Sequence, residues 1–367
     1  MNIVILGSSI TSSWGSGHAT TFRNLVKALH GRAHSVLFLE RETTASSTPS
    51  DLHDPYYCEL GFYTSSENLQ QHYTEQVREA DVVLVGSGLP QGVEIIEWVQ
   101  KVARGIKAFY DLDAPATLTG LEQQQGLPYL KADLIPNFDL YLSCTGGPAL
   151  ELLEKQYGAR MARPLYFSFD PELYHHEYRE IKWDLGYLGN YAEDRQSGLQ
   201  KLMLDAAAQW PQGRFAVAGT QYPADLGWPN NVTMLQHLTP FEHRDFFNSQ
   251  RFTLSISRAS ASRFGYTPSM RLFEAAACNT PVISDYWQGI ETLFEPETEI
   301  LISRSATETL RFLREICNTE RKNIGSRARR KVMAEHTAAH RAQELEDYVA
   351  ELMSLDSKGE KHLAVTG

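Results

Sequence analysis

The chain has 367 residues, 42% hydrophobic and 22% charged, with 34 Lys and Arg against 45 Asp and Glu and a formal net charge of -11. That length exceeds what one hydrophobic core usually serves, so two domains are expected. The acidic balance argues against nucleic acid as a partner, because a broad nucleic-acid face must be basic, but it leaves room for a small basic cleft.

The opening MNIVILGSSITSS has no basic start and no long apolar stretch, so it reads as a strand and not a signal peptide. No apolar run approaches the roughly 20 residues of a membrane span. The cysteines, Cys58, Cys144, Cys278 and Cys317, fall in different predicted elements and form no C-x-x-C. They are expected to be reduced thiols in a cytoplasmic protein.

Apolar runs and helical spacings alternate along the first half. A strand is expected at 2–6 and a helix at 20–29 through Phe22, Leu25, Val26 and Leu29. Strands follow at 35–39, 81–85, 108–111, 138–143 and 165–168, with helices at 93–102 and 148–157. Short apolar runs separated by helices imply buried parallel strands, hence a doubly wound α/β domain over 1–170. The polar stretch 171–182, containing Pro171, reads as a linker. The rhythm restarts with strands at 183–188, 214–218, 232–235, 252–257, 281–284 and 299–302, giving a second domain over 183–335. One long helix is expected over about 320–352, then a frayed tail over 354–367. The fold class is therefore α/β, with two tandem Rossmann-like domains facing a cleft.

Several segments carry candidate chemistry. The loop at 7–18, GSSITSSWGSGH, lets the backbone approach a ligand, but it lacks the G-x-G-x-x-G spacing of an NAD enzyme. His18 closes that loop, where a plain helix-start histidine is the bland reading. The run YDLDAP places Asp111 and Asp113 at the C-terminal end of a strand, where open sheets hold ligands. Asp111 is the favoured cleft carboxylate and general base; a D-x-D metal pair or a strand-end cap are the alternatives. The TGG at 145–147 precedes a helix at Pro148, a common helix start. In GYLGNYAEDR, at 186–195, Gly189 would let the backbone approach a phosphate, and Arg195 beside Asp194 offers a plain surface pair. Arg258 ends the strand at 253–257 and would add a second charge. His336 and His340, four apart but outside any H-E-x-x-H, read as a packing or solvated face.

The segment at 265–285, GYTPSMRLFEAAACNTPVISD, says most. Ser269 opens a helix, Arg271 lies in its first turn and Glu274 follows one turn in. Pro281 ends it, and Val282 starts a buried strand. Free N–H groups and an arginine at a helix start suit phosphate, and a glutamate can accept from ribose hydroxyls. The bland alternative is a cap with a surface ion pair.

This segment resembles the donor-binding stretch of GT-B glycosyltransferases. Its wording is most similar to the CgeB-like branch of the group 1 enzymes, which YDLDAP also resembles. The resemblance implies hexosyl transfer from a nucleoside diphosphate sugar to a hydroxyl acceptor, without cofactor or bound metal, and with retention. It places Glu274 on the ribose, with Arg271, Arg195, Gly189, Ser269, Arg258 and Tyr266 on the donor side. His18 and Asp111 would face the acceptor, and the end of the chain, 336–353, would cross back to the first domain. Tyr266 stands where family 4 retaining enzymes carry a first Glu, and Tyr187 where they carry an Arg, so the stereochemical outcome stays open. A sugar-nucleotide epimerase and a non-catalytic sugar or nucleotide binder remain as rivals.

Overall fold

The computed structural model describes residues 1–14, 17–42, 50–236 and 238–365. The chain forms two compact units, Met1–Tyr166 with Ala338–Gly367, and Phe167–Thr337.

The first unit is built on a parallel seven-stranded sheet. Its elements are β1 (Asn2–Gly7), α1 (His18–Gly31), β2 (Ser35–Arg41), β3 (Glu59–Tyr63), α2 (Ser66–Glu79), β4 (Val82–Gly86), α3 (Gly92–Val102), β5 (Ile106–Asp111), α4 (Ala114–Glu122), β6 (Leu140–Ser143), α5 (Pro148–Lys155) and β7 (Ala162–Pro164). The strand order is β3-β2-β1-β4-β5-β6-β7, so the winding reverses between β1 and β4. Every residue of β4 is buried, as a strand covered on both faces must be. The sequence reading passes over β3 and α2. The reason is that β3 is an edge strand whose ELGFY run leaves Phe62 exposed, so no continuous apolar signal exists. The strand expected at 165–168 lies instead at β7, and only Leu165 extends the pairing, through its N–H to the Ser143 carbonyl at 2.8 Å.

The second unit repeats the plan with β8 (Trp183–Leu188), α6 (Glu193–Leu199), α7 (Asp205–Gln209), β9 (Phe215–Ala218), β10 (Val232–Leu235), α8 (Pro240–Asn248), β11 (Gln250–Ser255), α9 (Ala259–Phe264), α10 (Met270–Ala277), β12 (Val282–Ser284), β13 (Leu301–Ile302), α11 (Ala306–Glu315) and α12 (Asn318–Glu335). A π turn at Gln200–Leu204 joins α6 to α7. The order β10-β9-β8-β11-β12-β13 reverses between β8 and β11. Leu185, Phe215, Phe252, Leu254 and Ile283 from four of its strands form the core under α7 and α11. Open α/β sheets bind ligands at the C-terminal ends of strands where the winding reverses. Each unit therefore offers one such place: the ends of β1 and β4, and the ends of β8 and β11.

The single helix expected over 320–352 is two, α12 and α13 (Ala338–Val365). They break at His336 and Thr337, where Thr337 bridges to Phe169 and the His336 ring stacks on Phe273 with centroids 4.6 Å apart. His336 and His340 thus do not share a helix. The last helix belongs to the first unit, where Glu346 takes Arg32 and His34 at 2.6 Å each. It continues through the segment expected as a frayed tail as far as Val365; residues 366 and 367 lie outside the described residues. Among the described residues, no helix is long and apolar enough to cross a membrane.

Candidate functional site

In the second unit the ligand end of the sheet is shaped by backbone. The Gly189 N–H donates to the Ala218 carbonyl at 2.8 Å, and the Tyr222 hydroxyl to the Gly189 carbonyl at 2.7 Å. Gly219 sits at φ +154, and a Cβ there would lie 2.1 Å from the Gly189 carbonyl oxygen. Only glycine allows the turns after β8 and β9 to come this close. Asn190 braces the same turn, accepting from the Thr220 N–H at 3.0 Å.

Two guanidiniums converge here. Arg195 donates to the Asn190 carbonyl at 2.9 Å, and its Nε is buried without an acceptor. The Arg271 Nε is likewise buried without one. Burial and then Tyr187 push the Tyr222 phenol upward, and Arg195 and Arg271 both pull it back, so the two cations flank one ring. Neither forms an ion pair with a carboxylate among the described residues; Arg195 does not pair with the neighbouring Asp194. A buried donor with no acceptor is costly, so a site holding two of them on adjacent cations suits an anion.

Glu274, one turn into α10, is 3% exposed. Burial pushes its carboxyl up to about 7, against the pull of Arg271 and a hydrogen bond with Tyr174. The Tyr174 hydroxyl also lies 3.2 Å from Nδ1 of His243, whose Nε2 is 3.0 Å from the Leu238 carbonyl. Ser269 caps α10, accepting from the Arg271 N–H at 3.4 Å. Tyr266 adopts φ 49, and its N–H donates to the Gln288 carbonyl at 2.6 Å. Its ring fills the space over Gly289, where a Cβ would come within 2.4 Å. Arg258 stands exposed at the start of α9, with no ion pair and no hydrogen bond to Arg195 or Arg271 among the described residues. Tyr187 is 3% exposed, and its hydroxyl lies 2.8 Å from where a Cβ on Gly189 would stand, so a phenol and not a cation meets that turn.

In the first unit the two aspartates separate by role. Asp111 ends β5, fully buried, and its oxygens are taken by the Tyr141 hydroxyl at 2.7 Å, the Thr117 hydroxyl at 2.9 Å and the Asp113 N–H at 3.1 Å. Burial pushes its carboxyl up to about 6, with those hydrogen bonds opposing and the Asp113 charge adding to the rise. Asp113 is half exposed, and its Oδ2 holds Nε2 of His18 at 2.9 Å. The other His18 nitrogen, Nδ1, lies 3.4 Å from the Ser8 hydroxyl. His18 starts α1 after β1, and Asp113 follows β5, so the pair sits beside the reversal of this sheet. Residues 15 and 16 of the glycine-rich loop lie outside the described residues.

Tyr174, Tyr222, His243 and Asp113's hold on His18 escape the sequence reading. Tyr174 falls in the stretch read as linker, and contacts across 30 to 100 residues leave no local pattern. Among the described residues no group of three or more His, Cys, Asp or Glu could hold a metal ion.

Residues 195–347 match the glycosyl transferase-like family. Solved structures match along nearly the whole chain. One is a sucrose-phosphate synthase from Thermosynechococcus elongatus, 15% identical over 97% of this chain and 100% of that one, with a TM-score of 0.67. Another is HepE from Anabaena in complex with UDP and glucose, also 15% identical, covering 96% of this chain and 100% of that one at a TM-score of 0.67. A third is an α-glucosyltransferase in complex with UDP and a 13-mer DNA containing an HMU base, 13% identical over 95% and 99% of the two chains at a TM-score of 0.72. The fold is that of the GT-B glycosyltransferases. No curated protein sequence matches the chain.

Proposed function

We propose that this protein is a glycosyltransferase that moves a hexosyl group from a nucleoside diphosphate sugar, with UDP the first base to test, to a hydroxyl acceptor. The observation that carries this is the cluster after β8 and in α10: buried Glu274 beside Arg271, with Arg195 opposite, at the ligand end of a Rossmann-like sheet. Glu274 accepts from the ribose hydroxyls. Arg195 and Arg271 hold the diphosphate and stabilise the charge that grows on it as the glycosidic bond breaks. Because two unpaired guanidiniums supply that charge, no metal is required. The matched HepE structure holds UDP and glucose, in keeping with this class of donor.

The acceptor is assigned to the His18 side of the first unit. Asp113 meets His18 Nε2 at 2.9 Å and Ser8 lies 3.4 Å from Nδ1, so the imidazole is held in one orientation after β1. Asp111, whose oxygens are all engaged, instead anchors the turn that carries Asp113. The CgeB-like resemblance supports transfer with retention, the leaving phosphate taking the acceptor proton. Inversion is a second reading, favoured by the carboxylate-oriented imidazole, which is built as a base. The unpaired cysteines support a reducing, cytoplasmic setting.

The test is a thermal-shift screen of UDP, GDP, ADP, CDP and dTDP followed by a donor-turnover assay with the sugar of the best base. Stabilisation by one nucleoside diphosphate and slow release of sugar are expected, since a ligand that binds only the folded state raises its melting point. Binding without any turnover over a broad acceptor set would leave a nucleotide-binding protein, and the transfer reading would fall. NMR of the product's anomeric carbon decides between retention and inversion.

A further inference from the structure

At the opposite edge of the second unit's sheet lies a cavity of about 860 Å³ that the donor chemistry does not use. It opens where the strands begin: Arg214 precedes β9, Gln250 and Arg251 start β11, and Thr280 precedes β12. The donor cluster lies where these strands end. At about 3.3 Å per residue, a six-residue strand such as β8 or β11 sets the two roughly 20 Å apart. A molecule in this cavity is therefore out of reach of Arg195 and Arg271, although Cys278 of the lining, one turn beyond Glu274, feels the Glu274 charge.

The lining is basic in an acidic protein. Arg179, Arg214, Arg251, Arg321 and Lys322 face Glu177 and Glu180. Some of that charge is balanced: Arg251 meets Asp184 at 3.1 Å, and Arg179 meets Glu177 at 2.6 Å and Asp245 at 3.0 Å. Arg321 and Lys322, in the first turns of α12, have no carboxylate partner among the described residues. Arg321 has one weak bond, from Nη1 to the Arg251 carbonyl at 3.3 Å, and its Nε is buried without an acceptor. Burial and the Arg251 charge both press against it. Arg251 has Asp184, but Arg321 beside it has no anion of its own, a cost that a bound anion would remove. The α12 N-terminus adds its dipole, since Cys317 caps it without a side-chain hydrogen bond.

A second feature defines the rest of the ligand. Gln250 is 2% exposed and lines the same cavity. Its amide nitrogen donates to the Phe246 carbonyl at 2.9 Å, while its Oε1 is buried without a donor. It is held in place because a Cβ at Gly186 would lie 2.3 Å from its amide carbon, so the side chain fills that gap. An acceptor lacking a donor calls for a hydroxyl beside the anion.

We propose that this cavity is a second ligand site, for a small phosphomonoester that carries hydroxyl groups. Its phosphate lies between Arg321, Arg251 and Lys322, and one hydroxyl donates to Gln250. The site is independent of the donor assignment.

Isothermal titration of the full chain with inorganic phosphate and with glycerol 3-phosphate tests it, with UDP added at saturation to occupy the donor side. Both probes are expected to bind, glycerol 3-phosphate the more tightly. Arg321→Ala with Lys322→Ala should weaken both by tenfold or more and leave the UDP titration unchanged. Arg271→Ala should leave both probes unchanged. Gln250→Met should erase the preference for glycerol 3-phosphate; if that variant does not fold, a library of phosphomonoesters with and without a vicinal hydroxyl reads the same preference on the unaltered protein. Phosphate binding that survives loss of Arg321 and Lys322, or that vanishes with Arg271, would overturn the site. Equal affinity for hydroxylated and bare phosphates would overturn the role of Gln250. Capture on phosphatidic acid vesicles through Arg321 and Lys322, without binding of glycerol 3-phosphate, would overturn a soluble ligand.

Discussion

Glu274→Gln makes the sharpest test, because the donor reading requires the same residue to harm stability and help binding. The carboxyl is 3% exposed and is held at about 7, against an ordinary value of 4.5. The folded protein therefore keeps a proton that the unfolded chain releases, and folding binds one proton between those values. The stability this supplies is full below pH 4.5 and gone above pH 7, a loss of about 3 kcal/mol from that difference. The amide is neutral at every pH and still accepts from Tyr174. The variant should match the wild type near pH 4.5 and exceed it at pH 8.5, by roughly 6–12 °C in melting temperature for a unit of this size. Binding should move the other way. Exchanging a charged acceptor for a neutral one on the ribose should weaken UDP about tenfold at pH 8.5. The gap should close near pH 5.5, where the wild-type carboxyl is itself neutral. Calorimetric melting and titration at both pH values read each effect. A variant less stable than the wild type at pH 8.5 would refute the burial argument, and unchanged UDP affinity would refute the ribose role.

Arg195→Ala and Arg271→Ala should each lower turnover by roughly 10²–10³ while uridine affinity changes little, because the charge they meet is on the diphosphate and grows in the transition state; initial-rate kinetics check this, and two fully active variants would place the diphosphate elsewhere. On the inverting reading His18→Ala should cost roughly 10²–10⁴ in transfer with UDP binding intact, as expected on losing an acid–base group, whereas on the retaining reading, with the leaving phosphate as base, transfer should stay within about tenfold. Asp113→Asn should cost less and shift the pH–rate profile, the mark of a residue that positions an imidazole. Transfer should survive excess EDTA, and loss restored by manganese or magnesium would return Asp111 and Asp113 to consideration as ligands.

The double Rossmann-like plan was legible because fully buried parallel strands leave unbroken apolar runs such as VVLV at 82–85, and because the rhythm restarts after 182. What escaped was structure that carries no such run. Strand β3 alternates between buried and exposed residues at a sheet edge. The break between α12 and α13 leaves no proline or glycine in the sequence. Thr337 interrupts the helix by bridging to Phe169, a partner far away in the chain. Ser269, Arg271 and Glu274 of 265–285 could be read together because one short helix and its cap carry them. Arg195 was reached through the turn after β8, whereas Tyr222 was not, since its link to Gly189 spans the β8–β9 crossover.

The choice between Asp111 and Asp113 shows where sequence spacing stops deciding. Both sit at the end of β5, and a strand end selects neither. Side chains alternate across a strand, and Asp111, its last residue, turns into the sheet, where Tyr141 of β6 and Thr117 of α4 consume its oxygens. Asp113, two residues on, has left the strand and reaches His18. A base must be able to meet a hydroxyl, and a carboxylate with each oxygen already accepting from the protein cannot do so without losing those bonds. The consequence is measurable: in a folded Asp111→Asn variant, transfer should stay within tenfold of wild type while stability changes. The repacked amide must face one of the Tyr141, Thr117 or Asp113 donors, at a cost of about 1–3 kcal/mol. If Asp111→Asn instead abolished transfer at unchanged stability and UDP affinity, Asp111 would be the base and the His18–Asp113 pair a brace.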